Sequence, residues 1–296
     1  MKILMTGSTG LVGNALTRSL FAKGYHLQSL HHNKDFPAAS GNFWNSKKLT
    51  DDFQAVIHLA GENIASGRWN AAKKRAISQS RIKGTQDLVN YIARMKEKPK
   101  IFLSASAVGY YGNRNQEFLH ETSSPGSGFL SDLCQKWEKE AKRLEQWGIR
   151  VVHLRFGMIL AANGGALQKM LPPFRKMVGG VVGSGDQYIS WISIHDVVEI
   201  IEFILRNNEI SGPVNITSPT PVTNKEFTRT LAKELRVPAV MNMPAFVVKM
   251  IFGEMGKELL LSGTKALPKV LLQHEYNFTY TDLGAALRDY INGEKK

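Results

Sequence analysis

Apolar and polar positions over the first 155 residues alternate between two rhythms. Short apolar-rich runs at residues 2–6, 26–30, 55–59, 101–104 and 151–155 have the length and composition of buried strands. Between them lie longer stretches with apolar residues three and four apart. Residues 14–23 read as the body of a helix. A helix over 81–95 would bury Ile82, Leu88, Val89 and Ile92, and one over 129–147 would bury Leu133, Trp137, Ala141 and Leu144. Pro99 stands just before the fourth run, where it can end a helix without breaking a strand ladder. This alternation predicts an α/β fold: a Rossmann-type, doubly wound parallel sheet with crossover helices.

After Arg155 the rhythm changes. Asn163-Gly164-Gly165 and the glycine-rich stretch 178–185 read as loops, with Met170-Leu171-Pro172-Pro173-Phe174 between them. Residues 195–206 look helical and 214–216 look like a further strand. Two more helices are expected at 244–261 and 281–291. The division this suggests is a nucleotide-binding domain over 1–236, with substrate-region insertions at about 160–190. A small C-terminal domain over 237–296 would cover the substrate.

The most informative junction lies at the N-terminus. The first strand runs into Gly7-Ser8-Thr9-Gly10-Leu11-Val12-Gly13 and then into a helix. A strand, a tight glycine turn and a helix start form an anion site. Free backbone N–H groups and the positive helix end face a phosphate, and missing side chains let the backbone approach it. Gly7, Thr9, Gly10, Leu11, Val12 and Gly13 are therefore expected to hold the pyrophosphate of a dinucleotide. The second strand ends at Leu30-His31-His32-Asn33-Lys34, with no carboxylate at its tip to take the ribose hydroxyls. His31 and His32 favour a 2′-phosphate, so NADP(H) is expected over NAD(H), with an ordinary polar strand end as the alternative. The small-residue turn Leu59-Ala60-Gly61-Glu62 is expected to lie against the cofactor or to be a tight turn without a ligand.

Composition narrows the classes. The 296 residues contain one cysteine, Cys134, so no intrachain disulfide can form and a reducing, cytoplasmic setting is expected. No apolar run approaches the ~20 residues of a membrane span, and neither a membrane partner nor a leader is expected. The net charge of +13 comes from scattered short clusters such as Lys73-Lys74-Arg75. It suits anionic ligands better than a nucleic acid, which is not expected as a partner. The eight histidines show no metal-ligand spacing, so no metal is expected, and no Gly-x-Ser-x-Gly elbow occurs.

The fourth strand continues as Ser104-Ala105-Ser106-Ala107-Val108-Gly109-Tyr110-Tyr111-Gly112. Here the chain resembles the extended short-chain dehydrogenase/reductase superfamily. The resemblance implies a catalytic serine at Ser106 and a Tyr-x-x-x-Lys pair on the next helix, with the tyrosine as acid/base. That pair is absent: Leu130 stands at the tyrosine position and Cys134 at the lysine position. Arg81, in Ser80-Arg81-Ile82, replaces an asparagine. These departures resemble a narrower group of atypical members, the epimerase family proteins. Further matches are Arg68-Trp69, Met170-Leu171-Pro172-Pro173-Phe174, Gly183-Ser184-Gly185 before Gln187-Tyr188, Trp191-Ile192 and Ala266-Leu267-Pro268, so the likeness covers essentially the whole chain. Ser193-Ile194-His195-Asp196 departs from the group's more usual His-Ile-Asp-Asp, and His195 is given no role.

The resemblance implies NADP(H) binding and leaves the reaction open. A neutral thiol at Cys134 cannot supply the charge of a lysine, whereas Arg81 could. Cys134 is a packing residue, a cofactor contact, or a thiol nucleophile or acid. Tyr110 is either an acid/base from another direction or loop packing. Arg155, Gly157 and Ile159 leave a strand at the cofactor edge with Ser104 nearby; Arg155 either meets the nicotinamide side or forms a surface ion pair. The expected function is an NADP(H)-dependent oxidoreductase or nucleotide-sugar-epimerase-like enzyme that exchanges hydride with a small substrate. The alternative is a non-catalytic, cofactor-bound sensor.

Overall fold

The computed structural model describes residues 1–31, 44 and 52–293. In chain order the first half runs β1 (Lys2–Thr6), α1 (Leu11–Ala22), β2 (His26–Leu30), β3 (Ala55–His58), α2 (Ala71–Ser78), α3 (Gly84–Arg94), β4 (Ile101–Ala107), β5 (Phe118–Leu119), α4 (Phe129–Lys142) and β6 (Arg150–Phe156). The second half adds β7 (Met158–Leu160), α5 (Gly165–Arg175), β8 (Tyr188–Ile189), β9 (Trp191–Ser193), α6 (Ile194–Arg206), β10 (Gly212–Ile216) and β11 (Val222–Thr223). It ends with α7 (Asn224–Leu235), α8 (Ala245–Leu259), β12 (Lys265–Ala266), α9 (Lys269–Gln273) and α10 (Leu283–Gly293).

Six strands form one sheet in the order β10-β6-β4-β3-β1-β2, and every pairing is parallel. The alternation of side chains sends Ile3 and Met5 to one face and Leu4 to the other. The first face packs with Ile57, Leu103 and Leu154 against Leu16 and Leu20 of α1 and Ile200, Ile201 and Ile204 of α6. The second carries Val56, Phe102 and Val151 against Leu88, Val89 and Ile92 of α3 and Ala141 of α4. With both faces covered, the strands read as near-continuous apolar runs.

From β1 the chain moves outward to β2, then returns past β1 to β3 on its other side. That reversal opens a crevice at the carboxyl ends of β1 and β3, where ligands of such sheets bind. The glycine turn lies at this point.

Sequence periodicity misses α5. The Pro172-Pro173 pair reads as a loop, yet the helix runs through it. Two prolines remove two helical N–H donors. Against that, Leu167, Leu171 and Phe174 are spaced four and three apart and are all buried, at about 1.5–3 kcal/mol each. They join Trp191, Phe227, Leu231 and Leu287 in a third apolar cluster that ties α5, α7 and α10 together. The expected helix over 81–95 also differs. Gln79–Lys83 forms a π-helical turn between α2 and α3, and Arg81 sits in its middle. Helix α8 breaks at Gly253, whose φ of 61° and ψ of −137° lie outside the helical region. Among the described residues no helix is long and apolar enough to cross a membrane.

Candidate dinucleotide site

The turn after β1 is built so that only glycine fits. Gly7 has φ of +73°, and a Cβ there would lie 2.7 Å from the Ala60 amide nitrogen. A Cβ on Gly13 would fall 2.1 Å from the Gly7 carbonyl oxygen. Gly10 N–H donates to Gly7 O at 3.0 Å, closing the turn, and Gly10 is the N-cap of α1. No side chain caps this helix and no acid occupies its first turn. Thr9 and Gly10 are exposed, and Leu11 and Val12 are half-buried behind them. The result is a run of uncapped amides at a positive helix end, the arrangement that takes a phosphate.

The end of β3 packs against this turn. His58 is wholly buried between two threonines, with Nδ1 2.7 Å from Thr6 Oγ1 and Nε2 2.9 Å from Thr85 Oγ1. Burial, helped by the nearby Arg81 charge, lowers its pKa to about 3 and keeps it neutral. Leu59 and Ala60 are half-buried. Gly61 faces the Arg81 guanidinium so closely that a Cβ would lie 3.1 Å from Arg81 Cζ. Arg81 donates to the Glu62 carbonyl at 2.9 Å and lies over the Trp137 ring, 5.2 Å from its centre. The Glu62 carboxylate pairs with Lys73 at 2.6 Å. A fixed cation thus stands beside the β3 turn, its pKa lowered by burial.

At the end of β4 the side chains converge on a carboxylate, Glu138, that the sequence analysis does not single out. Ser106 Oγ donates to Glu138 Oε1 at 2.7 Å. Arg155 Nε and Nη2 each donate to Glu138 at 2.8 Å, a bidentate pair. Arg155 Nη1 also donates to the Tyr111 hydroxyl at 3.0 Å and the Glu121 carbonyl at 3.2 Å. Its guanidinium stacks 3.5 Å from the Tyr110 ring centre. Tyr111 donates onward to Asn215 Oδ1 at 2.7 Å. Burial raises the Tyr111 pKa to about 12. Burial alone would favour loss of the Arg155 proton, but the Glu138 carboxylate outweighs it and holds the guanidinium more firmly charged than usual.

Cys134 is 3% exposed and lies beside the Ser106 hydroxyl and the Ala107 amide. Burial and the Glu138 charge push its pKa up to about 11, so it is a neutral thiol near neutral pH. The helix carrying Cys134 and Glu138 begins at Gly128 with no capping side chain of its own. The Glu258 carboxylate of α8 stands against this helix start: a Cβ on Gly128 would lie 2.7 Å from Glu258 Oε1.

The structure brings Arg81, Cys134, Ser106, Glu138, Arg155 and Tyr110 into one linked cluster. Arg155 is engaged in an ion pair, but a buried one rather than a surface one. Ser104 is fully buried on β4. Gly157 packs where a Cβ would meet Ser190 O at 2.4 Å, and Ile159 pairs with Ile192 in β7–β9. His31 is exposed just past β2, while His32 lies outside the described residues. Glu138 had one signal in the sequence: it stands four residues after Cys134, on the same face as the apolar stripe of α4. Among the described residues no group of His, Cys, Asp and Glu could hold a metal ion.

A doubly wound parallel sheet with a glycine turn at its switch point defines a Rossmann-type protein of the extended short-chain-dehydrogenase architecture. A sequence model of the NAD dependent epimerase/dehydratase family matches residues 3–217, and a domain of unknown function, DUF1731, matches 243–290. The chain belongs to the NAD dependent epimerase/dehydratase family, among its epimerase family proteins. It is 38% identical to epimerase family protein Mb2239 of Mycobacterium bovis over 296 residues, covering 96% of each chain. It is 36% identical to epimerase family protein YfhF of Bacillus subtilis, covering 100% of this chain and 99% of that one. Human epimerase family protein SDR39U1 (isoform 2), crystallised with NADPH, superposes with a TM-score of 0.88 at 34% identity over 99% of both chains. A Thermus thermophilus UDP-glucose 4-epimerase shares the fold at TM-score 0.76 and 16% identity.

Proposed function

We propose that the chain binds NADP(H) in the crevice at the carboxyl ends of β1 and β3 and exchanges hydride with a small carbonyl or hydroxyl compound. The observation that carries this reading is the uncapped start of α1, held behind a turn that admits no Cβ at Gly7 or Gly13. Gly7, Thr9, Gly10, Leu11, Val12 and Gly13 receive the pyrophosphate. His31 and His32 take the 2′-phosphate end, in place of the carboxylate that an NAD site uses. The human relative crystallised with NADPH supports the same choice. Leu59, Ala60, Gly61 and Glu62 form the wall beside the cofactor, with Ser104, Gly157 and Ile159 behind it.

When bound, the nicotinamide supplies hydride transfer. The chain's own part is position and charge. Arg81 provides the fixed cation that Cys134, as a neutral thiol, does not. Arg155 is already engaged by Glu138 and serves the site by bracing the Tyr110 ring. Tyr110 and Ser106 are the groups offered to a substrate oxygen. Titrating the protein with NADPH and NADH by fluorescence tests the cofactor, and tighter NADH binding overturns the NADP(H) assignment. A panel of carbonyl compounds scored for NADPH oxidation tests the reaction.

One observation favours a second reading. The Ser106 proton is already given to Glu138 and the neighbouring thiol is neutral, which suits a cofactor-bound sensor without turnover. Tight NADPH binding with no oxidation across the panel would select it.

A further inference from the structure

The described residues expose eleven large hydrophobic side chains, and seven of them fall in two short segments and the first half of α8. Met177 and Val178, 58% and 53% exposed, follow α5. Val240 and Met241, 70% and 57% exposed, precede α8. The two segments run side by side: Met243 N–H donates to Val181 O at 2.8 Å, Gly183 N–H donates to Met243 O at 2.9 Å, and Gly180 abuts the Met241 carbonyl. The first half of α8 continues the surface with Phe246, Met250 and Ile251, which are 69%, 65% and 46% exposed. Beyond the Gly253 break the same helix turns inward, burying Met255 against Trp69, Ile77 and Leu133. Helix α8 is therefore docked over its second half, whereas its first half buries Val248 and turns Phe246, Met250 and Ile251 toward solvent.

Along the chain, the segments that carry these side chains hold charges of one sign. No Asp or Glu occurs between Glu145 and Asp186, or between Glu234 and Glu254. Lys176 and Lys249 are exposed and adjoin Met177 and Met250 in the chain. The first acid past the break, Glu254, is paired with Lys74 at 2.8 Å. Met177 also holds a left-handed backbone, with φ of 58°, that an L side chain adopts at a cost. A contiguous exposed apolar patch marks an interaction surface. Its basic border selects an anionic partner and disfavours pairing of two copies, which would bring the lysines of both together. Protruding Phe, Met and Ile side chains among Lys and Arg are the composition of a surface that lies in a lipid headgroup layer.

We propose that this face, the first half of α8 with the 177–183 and 240–243 segments, docks the protein on an anionic lipid bilayer. It lies on the surface and does not span, so it revises the sequence expectation that no membrane is a partner. The full chain, mixed with phosphatidylcholine vesicles with and without 30–40% phosphatidylglycerol (roughly the anionic fraction needed for a strong surface potential), is assayed by co-sedimentation. Expected is retention on the anionic vesicles alone, weakened by salt. The pair Phe246→Ser with Met250→Ser, and separately Lys176→Glu with Lys249→Glu, should each lower partitioning by about tenfold or more. Thermal midpoint and NADPH binding, measured on the same samples, should stay unchanged; they report folding and the cofactor site independently of the lipid result. Absence of partitioning onto anionic vesicles overturns the proposal. So does equal partitioning of the variants, or a concentration-dependent dimer that these substitutions abolish.

Discussion

Arg155 and Glu138 form a buried, bidentate ion pair at 2.8 Å on each arm, and the same carboxylate accepts a hydrogen bond from the Ser106 hydroxyl. The pair fixes α4 to the ends of β4 and β6. It also decides which way Ser106 points its hydrogen. A serine that gives its proton to a carboxylate meets any further group with its lone pairs, as an acceptor.

Glu138→Ala leaves the Arg155 guanidinium buried without its counter-charge. The expected loss of stability is about 3–5 kcal/mol, read from the urea midpoint. The double change Glu138→Leu with Arg155→Met should cost clearly less than the single one, since it removes both charges together.

Gly13→Ala places a Cβ 2.1 Å from the Gly7 carbonyl, where only the backbone itself could yield. NADPH affinity should fall by about a hundredfold or more, the scale of a lost phosphate cradle. Gly24→Ala is the control: its φ of +79° is equally unusual, but nothing lies within 4 Å of the added carbon. It should cost about 1 kcal/mol of stability and leave nucleotide binding intact. Equal effects of the two on binding would contradict the assigned site.

His58 ties the pH dependence of stability to burial. Its folded pKa is near 3 against an ordinary value of 6.5, so the unfolded chain binds the extra proton between those values. Stability from this residue is complete above about pH 7 and falls as the pH drops from there toward 3. The expected size is several kcal/mol over the window. Denaturation curves of wild type and His58→Gln at pH 7.5 and 5 isolate it; the variant should show the weaker pH dependence. His153, lowered to about 4 by burial, contributes with the same sign in both proteins.

Cys134 is the sole cysteine, so thiol labelling reads one site. With its pKa near 11, the native thiol should react with iodoacetamide at pH 7.5 about a hundredfold or more slower than in denaturant. Cys134→Ala should change NADPH binding little. Rapid native labelling would return the thiol to the list of nucleophiles.

Much of the fold is legible in the apolar rhythm. Strands β1 and β2 fall where the runs at 2–6 and 26–30 place them, and β3, β4, β6 and β10 differ only at their ends. Buried parallel strands carry long apolar runs because helices cover both faces, so the signal is strong. Helix α5 is not legible because proline is a local signal, whereas the burial of Leu167, Leu171 and Phe174 depends on partners as far away as Leu287. The glycine turn is legible because backbone approach dictates residue type directly. Glu138 is not, because its meaning depends on Ser106 and Arg155, 32 and 17 residues away.

The Glu258 contact has a consequence for the order in which the protein comes into being. The carboxylate that stands against the start of α4 belongs to Glu258, about 130 residues further along the chain. On a ribosome releasing ~5–20 residues each second, the helix that bears Cys134 and Glu138 waits several seconds for that partner to be made. The helix behind the cluster at the end of β4 thus meets a neighbour that is made well after it. A nascent chain cut short before α8 should carry the whole sheet yet hold α4 frayed at its start.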